Sequence, residues 1–398
     1  MRCAGPVVEW LCSGLQIRVR RFDSGPGLQH SLQGEPPMTT RARAPLSAYS
    51  FILLGLTLLT ASLFSLPKPD LTDKSTLSGE ATRSYEEAFE EHLPAKDFAT
   101  GLWGAMGYGL FNTAYDGAII GKNGWLFTKE EFTAPAPTSE QLAKRLNQII
   151  AINNYLEANN AHLIVVLVPS KADIYSDQLP APRPDYWHDV YDQSATVLLA
   201  SSVNMPHLRR LFEIHTPAIQ LYHKTDTHWT TDGATITAEA VARAFAPHHI
   251  DIGMEPFRAT AQKPQALEGD LLTYVPTGIF APWLAPEAEL QTTYLTENPK
   301  ASSAGLFGEQ NIHAALVGTS YSAREDLHFL GALKVALQAD VANWAEEGKG
   351  PMEPMAHFLR ATDFSKREAP SLVIWEIPER SLFVPYEDVR FDMLEGVQ

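Results

Sequence analysis

The spacing of apolar positions changes several times along this chain, and each change marks an element. Leu46–Leu66, "LSAYSFILLGLTLLTASLFSL", runs 21 residues without a charge and stops at Pro67. Further on, Phe89, His92, Phe98, Leu102 and Met106 recur at helical spacing. Ile119 and Ile120 then lead through Asn123-Gly124 to Trp125-Leu126-Phe127. Asn-Gly between apolar runs predicts a hairpin, because both turn positions need positive φ. After "TAPAPT", Ser139 is placed to cap a helix whose stripe is Leu142, Leu146, Ile149, Ile150, Tyr155 and Leu156, ending near Asn159-Asn160. His162–Pro169, "HLIVVLVP", is unbroken and β-branched, the pattern of a strand covered on both faces.

The same alternation continues. A helix over "MPHLRRLFEIHT" leads to a strand at "AIQLY", and a helix follows from Thr231. A strand over His313–Gly318 leads to the helical "SAREDLHFLGALKVALQ", and Ser371–Ile377, "SLVIWEI", is the last strand. Helices alternating with short buried strands predict an α/β fold with a mostly parallel central sheet. The expected layout is a disordered cytoplasmic leader over 1–45, an anchor over 46–66, a linker over 67–84 and one domain over 85–398. Residues 1–37 show no apolar period, and Met38 begins a more natural anchor.

Charge gives the anchor a direction. Its length matches the ~20 residues a helix needs to cross hydrocarbon. Arg41 and Arg43 stand just before it, and residues 1–67 carry six Lys+Arg against three Asp+Glu. The total formal charge is −16, so residues 68–398 hold −19. The positive-inside rule predicts a single-pass signal anchor in the inner membrane with the domain facing the periplasm. A cleaved signal peptide and a buried core helix are the competing readings. So acidic a surface repels phosphate backbones, which argues against nucleic acid as a partner. The only cysteines are Cys3 and Cys12, ahead of the apolar run, so the domain has no disulfide, thiolate metal site or cysteine nucleophile.

Ligands of parallel α/β sheets bind at the carboxyl ends of the strands. Two polar stretches are expected there. In "GTSYS", Ser320 follows Gly318-Thr319 and precedes a helix, where a base would make it a nucleophile. Capping of that helix is the simpler role for this serine, and G-x-S-x-S departs from the strict elbow, which has Gly two residues after the Ser. In "YHKTDTHWTTDG", Asp226 stands two before His228, so in an extended segment both side chains point the same way. An Asp so placed can hold the imidazole tautomer of a triad. His223, Asp226, His228 and Asp232 are alternatively a set of metal ligands, although a spacing of five on a loop is unusual. A solvated turn before a helix is the third reading.

Six stretches in order, "GKNGWLF", "VPSKADIYSDQLP", "TDTHW", "LVGTSYS", "NWAEEGKGP" and "WEIPER", resemble the alginate O-acetyltransferase family, the AlgJ and AlgX group, over about residues 85–385. The resemblance implies an SGNH-hydrolase-like domain with its triad in permuted order: Asp226, His228, then Ser320. The N-terminal anchor and "NGWLFTKEEF" are closer to AlgJ, and little chain follows "WEIPER" for the C-terminal carbohydrate module of the AlgX branch.

The resemblance further implies exopolysaccharide O-acetylation, with alginate as acceptor, no metal and no organic cofactor. The partners it implies are a multispanning membrane acyltransferase that supplies acetyl groups and other periplasmic acetylation proteins. An acetylesterase with the same triad and an inactive sugar-binding scaffold are the alternatives. Asn343, Tyr321, Arg324 and Lys171 are candidate substrate or oxyanion contacts, and Tyr175 and Arg380 stand near strand ends. Lys171 and Arg380 are equally placed to pair with acids. Trp125 and Trp229 are candidate sugar platforms, with core packing the commoner use of such rings.

Overall fold

A computed structural model describes residues 96–134, 138–300, 312–386 and 389–391, with single positions 53, 56, 57, 60 and 83. Apart from those positions, the leader, the anchor Leu46–Leu66, the linker and the pair Phe89 and His92 lie outside the described residues. Among the described residues, no helix is long and apolar enough to cross a membrane. The chain divides into two units, 1–60 and 61–398, and the second carries the elements that follow.

A four-stranded parallel sheet organises this unit, with its strands in the order His162–Val168, Leu372–Pro378, Ala314–Val317 and Ala342–Asn343. In chain order the described elements begin with α1 (Lys96–Met106), β1 (Ala118–Ile120), β2 (Leu126–Thr128), α2 (Ser139–Ala158) and β3 (His162–Val168). Then come α3 (Lys171–Ile174), α4 (Val190–Ala200), α5 (Leu208–His215) and α6 (Thr231–Phe245). Next are β4 (Arg258–Ala261), β5 (Gln265–Leu267), α7 (Ala281–Leu284), β6 (Glu289–Gln291) and β7 (Tyr294–Glu297). The last are β8 (Ala314–Val317), α8 (Ser320–Ala323), α9 (Phe329–Leu337), β9 (Ala342–Asn343), α10 (Met352–Ala361) and β10 (Leu372–Pro378).

The final strand, β10, is inserted in the middle. It pairs Leu372 with His162 on one side and with Ala314 on the other. Alternation along the strands divides the core in two. Ile164, Val166, Leu316 and Ile374 pack beneath α5, α6 and α9, with Phe212, Val241 and Leu333. Leu163, Val165, Leu167, Val317 and Trp375 face α2, α4 and α10, with Ile149, Leu198 and Phe358. Both faces are covered, which is why these strands read as unbroken apolar runs.

The hairpin forms as expected. Ile119 pairs with Phe127, and Asn123 (φ 55°) and Gly124 (φ 79°) both sit at positive φ. Helix α2 ends at Ala158, with Asn160 left-handed, but its cap is Thr138, whose Oγ1 accepts from Gln141 N at 3.1 Å, not Ser139.

Three expectations are corrected. "AIQLY" is not a strand: Tyr222 makes one bridge to Trp229, because Leu221 and Tyr222 are drawn into the core beside α5 rather than onto the sheet edge. The segment after "GTS" is not one helix. It breaks into α8, a 3-10 turn over Glu325–Leu327 and α9, with His328 at φ 67° between them. The expected stripe of α1 does not face the core. Phe98 and Leu102 are exposed, while Gly101 and Gly104 form the packed side, where an added Cβ would lie 3.1 Å from Gly278 Cα and 2.2 Å from Pro276 O.

Candidate active site

The carboxyl ends of β3, β10 and β8 deliver Ser170, Glu379-Arg380 and Gly318-Thr319-Ser320 to one edge of the sheet. The loop 223–230, closed by His223 N donating to His228 O (3.2 Å) and Thr230 N to Leu221 O (2.9 Å), lies against them. Helix α6 begins where this loop ends, with Thr230 Oγ1 accepting from Gly233 N.

Within that loop, Asp226 Oδ1 accepts from His228 N at 2.8 Å and from His228 Nδ1 at 2.6 Å. The two side chains meet through this local turn, in which the Asp side chain bonds the backbone two residues on, and not through an extended strand. With Nδ1–H committed to Asp226, Nε2 is left as acceptor, and it lies 2.7 Å from Ser320 Oγ, 92 residues later in sequence. Ser320 is the first residue of α8, and the cap is Thr319, whose Oγ1 accepts from Tyr321 N.

The buried Asp226 carboxylate is fully engaged. Oδ2 accepts from Asp270 N and from Arg324 Nη1, each at 3.2 Å. Burial alone would raise its pKa. The hydrogen bond and charge of His228, the His228 N–H and the Arg324 guanidinium outweigh that and hold it well below the usual carboxylate range. Arg324, half-buried, also forks onto Asp326, with Nε at 3.1 Å and Nη2 at 2.6 Å.

A cavity of about 210 Å³ opens over Ser320 and His228, with Thr227, Asp270, Tyr274 and Arg380 in its wall. A larger cavity of about 620 Å³ lies on the other side of the loop, by His223 and Glu289, but contains neither Ser320 nor His228. The smaller cavity is the candidate reaction site, because Ser320 and His228 both line it.

The remaining candidates divide by what they touch. Tyr321 is buried under His228, ring centroids 4.6 Å apart; its hydroxyl donates to Thr227 O (2.8 Å) and accepts from Arg380 Nη1 (3.1 Å). It therefore supports the loop, and it is not among the residues lining the cavity. Arg324 grips Asp226 from behind and does not line the cavity.

Lys171 likewise turns into the fold. It is buried, and Nζ donates to Leu126 O (2.5 Å), Lys224 O (3.0 Å) and Asp226 O (3.0 Å), tying the hairpin to the loop. Burial pulls its pKa down to about 8, against the raising effect of Glu131, Glu289, Asp226 and Asp270. Asn343 is exposed on β9; its Nδ2 donates to Ser322 O at 3.3 Å and its Oδ1 accepts from Ala345 N at 3.1 Å, and it is not among the residues lining the cavity. Tyr175 accepts from Leu221 N at 2.9 Å, and Trp125 and Trp229 are buried in the core rather than displayed to a sugar.

The metal reading falls on a different set of residues. Among the described residues, Asp226, His228 and Asp270 offer ligand atoms within 4.8 Å of one another, while His223 instead sits 3.6 Å from Glu289 and Asp232 lies at the start of α6. Arg324 already brings a positive charge to within 3.2 Å of Asp226 and 3.4 Å of His228 Nδ1, so a divalent ion there would face a guanidinium.

Sequence reasoning missed Asp270, whose Oδ1 accepts from Thr227 N (2.7 Å) and Oγ1 (3.1 Å). Nothing around "EGDLL" marked it. It also missed Glu376, whose signal was present: one acid inside the apolar run "SLVIWEI". Burial pushes Glu376 up to about 7 despite hydrogen bonds from Thr319 and Ser322 and the charge of Arg380.

Residues 118–379 match the family model described as an SGNH hydrolase-like domain, acetyltransferase AlgX. The chain is 34% identical over 349 residues to a probable alginate O-acetylase AlgJ of Azotobacter vinelandii, covering 84% of this chain and 89% of that one. It is 34% identical over 361 residues to the AlgJ of Pseudomonas aeruginosa, covering 88% and 91%. The O-acetyltransferase domain of Pseudomonas putida AlgJ superposes with a TM-score of 0.64 at 32% identity, over 70% of this chain and 98% of that domain. Ordered motifs, parallel sheet and these likenesses agree, and the chain belongs to the AlgX and AlgJ family of SGNH hydrolase-like acetyltransferases.

Proposed function

We propose that this acetyltransferase esterifies hydroxyls of an exported polysaccharide, alginate first among them, through an acetyl-Ser320 intermediate. The observation that carries the reading is the unbroken line from Ser320 Oγ through His228 to Asp226, at 2.7 and 2.6 Å. Ser320 Oγ attacks the acetyl carbonyl carbon while His228 Nε2 takes the hydroxyl proton. Asp226 holds the ring and balances the imidazolium. The tetrahedral species collapses, the donor's leaving group takes the proton from His228, and acetyl-Ser320 remains. A sugar hydroxyl then attacks the ester, His228 removes its proton, and Ser320 recovers it as the acetylated sugar departs. Arg380 lines the same cavity and stays charged, a group suited to a developing oxyanion or a uronate carboxylate.

In this reading the domain faces the periplasm behind the anchor Leu46–Leu66. A multispanning membrane acyltransferase hands over acetyl groups, and other periplasmic acetylation proteins share the polymer. The names of the AlgJ relatives support the substrate class. Water as acceptor would make an esterase of the same triad. Placement at the site of polymer export favours the sugar, because a held hydroxyl reaches effective molarities up to ~10⁵–10⁸ M.

The test is to incubate the chain with a surrogate acetyl donor and unacetylated oligomannuronate, and to look for acetylated sugar by mass spectrometry. Ser320→Ala and His228→Ala should both lose the product. Free acetate with unmodified sugar, with and without the membrane partner, would overturn the transferase assignment. A periplasm-dependent reporter fused after Ser84 tests the topology, and an inactive reporter would reverse it.

A further inference from the structure

We infer that Glu376 is the positioning residue of the nucleophile turn, holding Ser320 between two tethers that both end on its carboxylate. The inference rests on Ser320 as nucleophile. Register places the acid there: Trp375 pairs with Val317, so the next step along both strands sets Glu376 against Gly318. The carboxylate is buried, and three donors converge on Oε2: Thr319 N at 2.7 Å, Thr319 Oγ1 at 3.0 Å and Ser322 Oγ at 3.1 Å. Oε1 takes a further contact from Thr319 Oγ1 at 3.2 Å. One tether precedes Ser320 in sequence and the other follows it.

This arrangement gives a reason for each residue of "GTSYS". A Cβ at Gly318 would lie 2.6 Å from Glu376 Oε2 and 2.8 Å from Ser322 Oγ, so only glycine lets the carboxylate close on the turn. Thr319 supplies two donors. Ser322 stands where the strict nucleophile elbow has its second glycine, and here the position is buried and its hydroxyl is the second tether. An apolar side chain at 376 would leave an N–H and two hydroxyls unpaired in the core. No atom of Glu376 lines the reaction cavity, so it acts through the placement of Ser320 Oγ on His228.

Glu376→Ala, Glu376→Gln, Thr319→Val, Ser322→Ala and Ser320→Ala in the full chain test this with a chromogenic acetyl ester, reading kcat, KM and thermal midpoint. Misplacing a reacting atom by about 1 Å costs roughly 10²-fold. Glu376→Ala should therefore lower kcat ~100-fold with KM nearly unchanged, as expected when only transition-state geometry is lost. Glutamine, which can still accept from Thr319 N, should recover most of that loss. Ser322→Ala should lower kcat several-fold, and combining it with Glu376→Ala should cost nothing more, because Glu376→Ala already removes the Ser322 tether. If Glu376→Ala does not fold, Thr319→Val and Ser322→Ala, each losing a single hydroxyl, decide the matter.

Wild-type kcat in folded Glu376→Ala, or in folded Thr319→Val with Ser322→Ala, removes the positioning role. So do losses from Ser322→Ala and Glu376→Ala that multiply. Activity surviving in Ser320→Ala removes the nucleophile itself, and the positioning role with it.

Discussion

Arg324 Nη1 lies 3.2 Å from Asp226 Oδ2 and 3.4 Å from His228 Nδ1. Asp226 thus spends one oxygen on the imidazole and the other on a guanidinium and a backbone N–H, and neither oxygen is free to rotate toward solvent. Arg324→Gln is expected to lower kcat on an acetyl ester by about tenfold with the fold intact, since one unit of lost electrostatic support is worth about 1.4 kcal/mol. Circular dichroism and steady-state kinetics on the same sample check this, and an unchanged kcat would show that Asp226 is held without it.

The depressed pKa of Asp226 also has a consequence for folding. Its folded value lies below the unfolded one, so its contribution to stability is present above about pH 3.9 and is lost as pH falls through the folded pKa. Asp226→Asn should flatten the acid limb of a denaturation series taken from about pH 5 down to about pH 2. It should also cut turnover by up to ~10⁴-fold, because an amide can present an N–H to the ring and stabilise the wrong tautomer. An acid limb as steep as the wild type would refute the linkage.

Glu379 has the opposite sign. Burial raises its pKa from 4.5 to about 7, with Asp173 adding to the rise, while Arg183 and the donors at Ser170 oppose it. The folded state binds the proton more tightly, so this contribution is complete below pH 4.5 and is lost as pH rises through about 7. Among the described residues, Oε1 has no hydrogen-bond partner, whereas Oε2 accepts from Ser170 N at 2.9 Å. Glu379→Gln should keep the Ser170 contact and be more stable than the wild type at pH 8, by at most on the order of 3 kcal/mol. Urea midpoints at pH 5 and pH 8 test it, and a midpoint difference equal to that of the wild type would count against it.

Lys171→Met should destabilise the fold by about 3 kcal/mol, because Leu126 O and Asp226 O lose their donor while Lys224 O keeps Leu126 N. One of them belongs to Asp226, so kcat should fall as well. A thermal midpoint unchanged from the wild type would mean that those carbonyls find other partners.

Exhaustive chelation should leave acetyl-ester turnover as it was, given the guanidinium already beside Asp226 and His228. Loss on chelation, recovered by a divalent ion, would instead assign Asp226, His228 and Asp270 as ligands.

Period and turn chemistry made much of the fold legible. The Asn-Gly hairpin, α2 and the buried runs of β3, β8 and β10 follow from local sterics and from covering a sheet on both faces, and both leave a mark on consecutive residues. "AIQLY" misled because a short apolar run satisfies a core and a strand equally well, and the core took it. The helix after Ser320 broke at His328, whose left-handed backbone no apolar pattern announces.

The sequence by itself placed the candidate groups: a serine after a strand, and an Asp two before a His. Tertiary structure decided everything that depends on pairing across distance. β10, last in the chain, takes the centre of the sheet and so brings Glu376 beneath Gly318 and Arg380 into the cavity. Ser320 meets His228 across 92 residues. Lys171, Tyr321, Arg324 and Asn343, all plausible ligands in one dimension, are turned to the carbonyls and carboxylates of their own fold. The physical reason is that a buried polar group must find a partner wherever packing places it, and packing is settled by strand order, which no local window of sequence contains.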